Sequence, residues 1–281
     1  MPTLDAALQR GRRTLSARAG ADARREATFL LAGVLGITPG QVALQRGRQL
    51  AEHELDEYLE RLTRRARGEP LQYIEGRAAF RELSLRVDRS VLIPRPETEQ
   101  LVEAVLRWCR GKEGLLGLDL GTGSGAIAIS LALEGPFTRV VGVDISAEAL
   151  NVARCNADEA GVGGVVDLRL GSLFDALRSG ERFQIVVSNP PYIAVGEALP
   201  EEVRDWEPAV ALYAGPTGLE VIQEIVDGAP RYLAPGGLLA LEVAPGVADA
   251  ALQRIRTRGG YGEPRVIRDL AGHRRIVLAE R

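Results

Sequence analysis

Apolar positions recur with a helical period over the first seventy residues. Leu4, Leu8 and Leu15 begin a stripe, and Ala27, Leu30, Leu31 and Val34 continue it. Spacings of three and four put such residues on one helix face. Gly36 supplies a stop, and Pro39 sits where a short helix would start. Leu55, Tyr58, Leu59 and Leu62 mark a further helix, with acids early and Arg64, Arg65 and Arg67 late. That charge order complements the helix dipole. Gly68 and Pro70 end it.

The period then shortens. Phe80, Leu83, Leu85, Val87, Val91 and Ile93 are spaced like short strands, with Asp88-Arg89-Ser90 as the turn between them. This predicts a β-hairpin. Pro94-Arg95-Pro96-Glu97 opens a helix through Trp108, with Pro96 in its first turn and Glu97 and Glu99 at its positive end.

From residue 114 strands and helices alternate. Strands are expected at Leu115 to Leu120, Val140 to Val143, Val165 to Leu170, Phe183 to Val187 and Leu238 to Val243. Helices are expected up to Leu133, from an N-cap at Ser146, and over Leu219 to Leu233. Val266-Ile267 and Ile276 to Leu278 suit two closing strands. Repeated βα units imply an α/β fold with a doubly wound, mostly parallel, Rossmann-like sheet. The expected organisation is a small helical domain over 1–72, a β-hairpin linker over 73–93, and the sheet domain over 94–281.

Composition narrows the function classes. A length of 281 residues suits two domains. The net charge of −3 argues against a general nucleic-acid binder, which shows a basic domain or stripe. Residues 1–72 hold 12 Arg against 9 acids, so a modest basic excess sits on the helical part. It reads as a solvated face or as a docking surface for an acidic partner. Cys109 and Cys155 lack CxxC spacing, and His53 and His273 lie far apart, so no metal site is expected. Met1 to Gly20 has no apolar core segment of a signal peptide, and no apolar run reaches membrane-spanning length. A cytoplasmic protein without membrane contact is the expectation.

The first strand of the sheet ends in Asp119-Leu120-Gly121-Thr122-Gly123-Ser124-Gly125. Glycines permit a tight turn and close approach of a ligand to the backbone. Asp144 ends the next strand, about 20 residues on, where an acid accepts from ribose hydroxyls. Gly121, Gly123 and Ala126 also satisfy the loose dinucleotide pattern, so a nicotinamide or flavin enzyme stays open on these residues alone. Asp119 tilts the balance. It can orient the turn or meet a cationic amino group, as in S-adenosylmethionine, whereas it would repel a pyrophosphate.

The fourth strand stops at Asn189-Pro190-Pro191-Tyr192. Two prolines remove two backbone donors and end the strand, which alone would explain them. The position, beside the glycine turn, suggests chemistry as well. The Asn189 side-chain oxygen and the Pro190 carbonyl can accept both hydrogens of an NH2 group. They would also stabilise charge growing on its nitrogen. Tyr192 can pack on a flat substrate group. No general base is evident, and methyl transfer from a sulfonium mostly needs alignment. Glu242 and Arg95 are weaker candidates, a solvated strand-end acid and a helix-start residue being equally natural readings.

These features together resemble class I amino-methyltransferases. Leu92-Ile93-Pro94-Arg95-Pro96-Glu97-Thr98-Glu99, the helical N-terminal module, Glu207-Pro208 through Leu212, and Asp269-Leu270-Ala271-Gly272 resemble, more narrowly, the peptide chain release factor glutamine methyltransferases (the HemK/PrmC family). The resemblance covers nearly the whole chain. It implies S-adenosylmethionine as cofactor and the glutamine of a Gly-Gly-Gln motif in class I peptide chain release factors as substrate, giving N(5)-methylglutamine. It implies no direct nucleic-acid partner. Carried over, Gly121, Thr122, Gly123, Ser124 and Gly125 lie along the methionine part, Asp144 holds the ribose, and Leu173 lines the adenine pocket. Asn189, Pro190 and Tyr192 would be catalytic. Asn189 also touches the cofactor, and Pro191 joins the tetrad in forming the glutamine pocket. The N-terminal helices would dock the release factor. Ser172 departs from the family's usual Asp and weakens the expected adenine contact. The alternatives are a ribosomal-protein glutamine or a nucleic-acid base as acceptor, a nicotinamide oxidoreductase, and a non-enzymatic docking module.

Overall fold

The computed structural model describes residues 1–269 and 271–281. Leu270, within the family-like segment Asp269 to Gly272, lies outside the described residues. The chain divides into two compact units, 1–77 with 200–206, and 78–199 with 207–281. The seven-residue return to the first unit was not legible in the sequence, which assigned 200–206 to the sheet domain.

The first unit holds α1 (Leu4–Ala19), α2 (Ala23–Leu35), α3 (Pro39–Leu44), α4 (Glu52–Ala66) and α5 (Leu71–Glu75). Their starts are capped by side chains: Thr3 accepts from the Ala6 amide, and Thr38 and Gln41 form a reciprocal capping box. Leu4 and Leu15 of α1, Leu30 and Leu31 of α2, and Tyr58 and Leu62 of α4 share one core. Gly11 is needed inside α1 because an added Cβ would fall 2.1 Å from the Tyr58 hydroxyl oxygen. That hydroxyl donates to the Ala27 carbonyl at 3.2 Å. Arg65 of α4 reaches Glu26 of α2 through two bonds of 2.8 and 2.9 Å, both residues being buried.

In the second unit, β1 (Arg77–Phe80) and β2 (Leu83–Arg86) form the hairpin. Its turn is Arg81-Glu82, not Asp88-Arg89-Ser90 as the sequence suggested, and Val91 and Ile93 are buried without forming a strand. Arg81 takes a positive φ of 53°, and its amide donates to Glu99 of the next helix. Asp88 does accept from the Ser90 amide at 2.8 Å, so the expected turn exists but follows the strand.

Next come α6 (Pro96–Trp108), β3 (Leu115–Leu120), α7 (Ala126–Glu134), β4 (Phe137–Asp144), α8 (Ala147–Glu159), β5 (Val166–Leu170) and β6 (Phe183–Ser188). Short pieces follow: β7 (Ile193–Ala194), α9 (Glu201–Arg204, part of the first unit), α10 (Ala209–Leu212) and β8 (Tyr213–Gly215). The chain closes with α11 (Glu220–Gly228), β9 (Leu233–Glu242), α12 (Ala248–Arg258), β10 (Arg265–Arg268) and β11 (Arg274–Glu280). The expected helix to Leu233 therefore ends earlier. Gly236-Gly237 lies inside β9, held by a backbone bond from Gly236 to Arg281 and another from Arg281 to Gly237.

Among the described residues the main sheet has seven strands in the order β10-β11-β9-β6-β3-β4-β5. β11 runs antiparallel to β9, and β10 to β11; the other pairs are parallel. This is the doubly wound, mostly parallel sheet expected. Alternate strand residues feed two cores. Ile185, Val187, Leu238 and Ala240 face α6 and α7, while Leu118, Leu120, Val186, Leu239 and Leu241 face α11 and α12.

Arg65 also pairs with the more exposed Glu202 at 3.1 Å, so removing Glu26 takes from the buried guanidinium its buried carboxylate partner but not its last one. Glu26→Ala is expected to destabilise the protein by roughly 2 kcal/mol, the scale of lost hydrogen bonds to a charged group, read from its urea midpoint. A loss within about 0.5 kcal/mol would show the pair to be solvent-screened.

Candidate active site

The site forms where strand order reverses, between β3 and β6, at the carboxyl ends of the parallel strands. A cavity of about 270 Å³ opens there. Its wall includes Gly121, Thr122, Gly123, Ser124, Asp144, Leu173, Asn189 and Pro191. Gly125, Pro190 and Tyr192 are not part of the wall. Gly125 caps α7 with a φ of 81°, Pro190 is buried, and Tyr192 packs against the α11–α12 core.

The glycine turn is fastened to β4. The Gly121 and Thr122 amides both donate to the Val143 carbonyl, at 2.8 and 2.9 Å. The Gly123 amide donates to Asp144 Oδ2 at 2.8 Å, and the Ser146 amide to Asp144 Oδ1 at 2.9 Å. Each Asp144 oxygen keeps a lone pair for a ligand hydroxyl. Gly121 and Gly123 have positive φ, and a Cβ at either would meet only open space. The backbone there is a bare cradle. On its far side the buried Asn156 donates to the Ser124 carbonyl at 2.9 Å and accepts from the Arg86 amide at 2.7 Å, joining the turn to the hairpin.

Asp119 sits beneath the turn, fully buried, and accepts from the Thr122 hydroxyl at 2.7 Å. Its Oδ1 has no hydrogen-bond partner among the described residues. Burial pushes its pKa up to about 7, against the opposing Thr122 hydrogen bond. Of its two expected roles, orienting the turn is the one this geometry displays. Asp144 and Glu224 are on the wall, and its Arg95 is paired with Glu207, so the cradle suits a ligand carrying positive charge better than a pyrophosphate. These residues fit S-adenosylmethionine: bare backbone for its amino-acid part, and Asp144 for its ribose.

Leu173 holds a φ of 42°, which is costly for a branched residue and marks a constrained position on the wall. Ser172, the departure from the family pattern, also lines the cavity and is exposed.

Asn189 donates from Nδ2 to the Thr98 hydroxyl at 3.1 Å. Thr98, in the first turn of α6, is buried and lines the cavity. Sequence reasoning missed its part because 91 positions separate it from Asn189. Glu242 is buried rather than solvated, and burial pushes its pKa up to about 7 while the Thr98 hydroxyl and Arg275 oppose the shift. Arg95 is paired with the buried Glu207 at 2.5 Å, and Val210, Ala211 and Tyr213 continue the wall from there.

Asp119 and Glu242 each hold a proton more tightly folded than free, where carboxyls titrate near 4. Between about pH 4 and about pH 7 the folded chain binds more protons, so stability falls as pH rises through that window. The ligand-free protein should show a higher urea midpoint at about pH 5 than at about pH 8. Asp119→Asn with Glu242→Gln should flatten the difference. Equal wild-type midpoints would mean that both carboxyls are ionised in the folded chain at either pH.

Comparison with known proteins agrees with this geometry. Residues 6–76 match the PrmC N-terminal domain family, and residues 112–253 match a methyltransferase domain family. The chain is 37% identical over 264 residues to a release factor glutamine methyltransferase of Rhodopirellula baltica, covering 92% of this chain and 89% of that protein. It is 40% identical over 281 residues to one of Moorella thermoacetica, covering 99% of each. A methyltransferase structure from Pyrococcus furiosus shares the fold, with a TM-score of 0.55 at 19% identity over 72% of this chain and 90% of that one. This assignment displaces the nicotinamide reading of the glycine turn: the chain belongs to the release factor glutamine methyltransferase (PrmC/HemK) family.

Proposed function

We propose that the protein transfers a methyl group from S-adenosylmethionine to the side-chain amide nitrogen of the glutamine in the Gly-Gly-Gln motif of class I peptide chain release factors. The product is N(5)-methylglutamine. The observation that carries this reading is Asn189 on the cavity wall beside the glycine cradle. Its Nδ2 is occupied by Thr98, and its Oδ1 receives no hydrogen bond from the described residues. Relatives named for this activity, 37% and 40% identical over nearly the full chain, support it.

When bound, S-adenosylmethionine supplies an electrophilic methyl group on a sulfonium. The rest is alignment by the protein. Gly121 to Ser124 and Asp144 would hold the cofactor, and Leu173 would line the pocket for its base. The Asn189 Oδ1 and Pro190 carbonyl accept the two hydrogens of the glutamine amide, directing the nitrogen lone pair at the methyl carbon. They also stabilise the positive charge that grows on nitrogen. Pro191 shapes the pocket, and Tyr192 stiffens the tetrad from its packing against the core. The amide proton leaves after transfer, so no strong base is required. The helical unit docks the release factor, and translation termination places the reaction in the cytoplasm. Among the described residues no helix is long and apolar enough to cross a membrane.

Labelled methyl from S-adenosylmethionine should enter purified release factor and not its Gly-Gly-Gln variant with Gln changed to Ala. No label in either, with cofactor bound, would redirect the search to ribosomal proteins and then nucleic acids. Asn189→Ala should lower kcat roughly a hundredfold or more, the scale of losing one preorganised acceptor, while cofactor affinity by calorimetry changes little. Asp144→Ala should instead weaken cofactor binding by about tenfold or more.

A further inference from the structure

We propose that Thr98 and Glu242 are positioning residues: Glu242 orders the Thr98 hydroxyl, and Thr98 in turn fixes which end of the Asn189 carboxamide faces the substrate. This rests on the reading of Asn189 given above and adds two residues from other elements to it.

The sheet register places two of the three together, and α6 brings the third. Ser188 of β6 pairs in parallel with Leu241 of β9. The next residues along, Asn189 and Glu242, therefore share the same edge of adjacent strands. Thr98 arrives from the first turn of α6, and its Oγ1 lies 3.1 Å from Asn189 Nδ2. Thr98 and Glu242 are 4% and 1% exposed, so both are largely withheld from bulk water.

A hydroxyl carries one proton. In accepting from Nδ2, Thr98 must direct that proton elsewhere, and the Glu242 carboxylate is the acceptor it meets. Glu242 Oε2 has no hydrogen-bond partner among the described residues, and Thr98 is the neighbouring hydroxyl that favours its ionised form, alongside the charges of Arg275 and Arg95. Turning the carboxamide over would require Thr98 to donate to Asn189 Oδ1. Glu242 would then lose its donor in a buried setting, which is costly. The turned amide would also aim its own N–H groups at the N–H groups of the glutamine. An ionised Glu242 can only accept, so it gives the chain of bonds one direction. A protonated Glu242 can donate to Thr98 and release that constraint. Other charged or titratable groups facing Glu242 are Arg95 and Glu97 at the start of α6, Arg275 on β11, and Tyr192 after β6. The arginines favour the ionised form, and so does a cationic cofactor nearby.

The test uses the full-length protein labelled with 15N-asparagine. The chain has three asparagines, Asn151, Asn156 and Asn189, and Asn189→Asp identifies the third side-chain signal. In the ligand-free wild type the Asn189 amide signal should move as Glu242 titrates near its pKa of about 7. Glu242→Gln should abolish that movement, which separates it from Asp119 titrating in the same range. Thr98→Val should abolish it as well, and Thr98→Ser should keep it. In methyl transfer, Thr98→Val should lower kcat about tenfold with little change in KM for either substrate, and Thr98→Ser should recover most of the loss. An Asn189 signal indifferent to pH, or one that moves equally in Thr98→Val, overturns the proposal. So does a Thr98→Val enzyme with wild-type kcat. A wild type that shows the titration but transfers no methyl group to release factor supports the relay and overturns the substrate reading.

Discussion

The site depends on the parallel pairing of β3 with β6. Leu120 and Ser188 form the last rung, and the Ser188 hydroxyl locks it by donating to the Leu120 carbonyl at 2.6 Å. Beyond that rung the chain leaves β3 through α7 toward β4, and leaves β6 toward β9 on the opposite side. The diverging connections open the crevice. They leave the glycine turn on one side and Asn189 on the other. A slip of one residue would turn every side chain of β6 to the other face. Val186 would leave the α11–α12 core and Val187 the α6–α7 core. The apolar alternation of a buried strand thus sets the height at which a polar side chain meets its ligand.

Two carboxyls in this neighbourhood oppose the stability of the fold at neutral pH. Asp119 and Glu242 are buried at strand ends, each with an oxygen lacking a partner among the described residues. An apolar residue at either position would avoid the desolvation cost. What each provides in return is directional. Asp119 holds the Thr122 hydroxyl beneath the cradle, and Glu242 gives Thr98 a place to send its proton. Both act on groups that line the cavity, so preorganisation of the site and the pH sensitivity of the fold have the same source.

The sequence made local signals legible and distant ones not. The strand ends, the glycine turn, Asp144 and the Asn-Pro-Pro-Tyr stop are each written within a few residues, and each stands at the carboxyl edge as expected. The hairpin turn was misplaced because Asp88-Arg89-Ser90 has the stronger turn composition, while Arg81 is held at positive φ by a bond from its amide to Glu99, 18 residues on. The strand expected from Leu238 begins at Leu233, so Gly236-Gly237 lies within β9. An added Cβ at Gly237 would lie 3.0 Å from the Gln184 carbonyl oxygen, so glycine there permits close strand approach rather than a stop. Thr98 and Glu242 escaped for a common reason. A helix-start threonine and a strand-end acid have ordinary local explanations, and only the register of β6 against β9 brings them to Asn189.

The sheet itself is shared with a methyltransferase structure 19% identical to this chain. The two internal segments that gave the narrower family resemblance, Leu92 to Glu99 and Glu207 to Leu212, turn out to be one structural feature. Arg95 and Glu207 pair across 112 positions, and the Ile93 amide also reaches Glu207, at 3.4 Å. Glu207 is buried, and Arg95 is a charged partner that compensates it there. The pair therefore ties the start of α6, which carries Thr98, to the segment that brings Val210, Ala211 and Tyr213 to the wall. Two stretches of the cavity wall are thus joined by an ion pair. On the function proposed above, selectivity for a glutamine amide rests with this wall around Asn189, and the Rossmann-like sheet beneath it supplies the height and direction from which the wall is built.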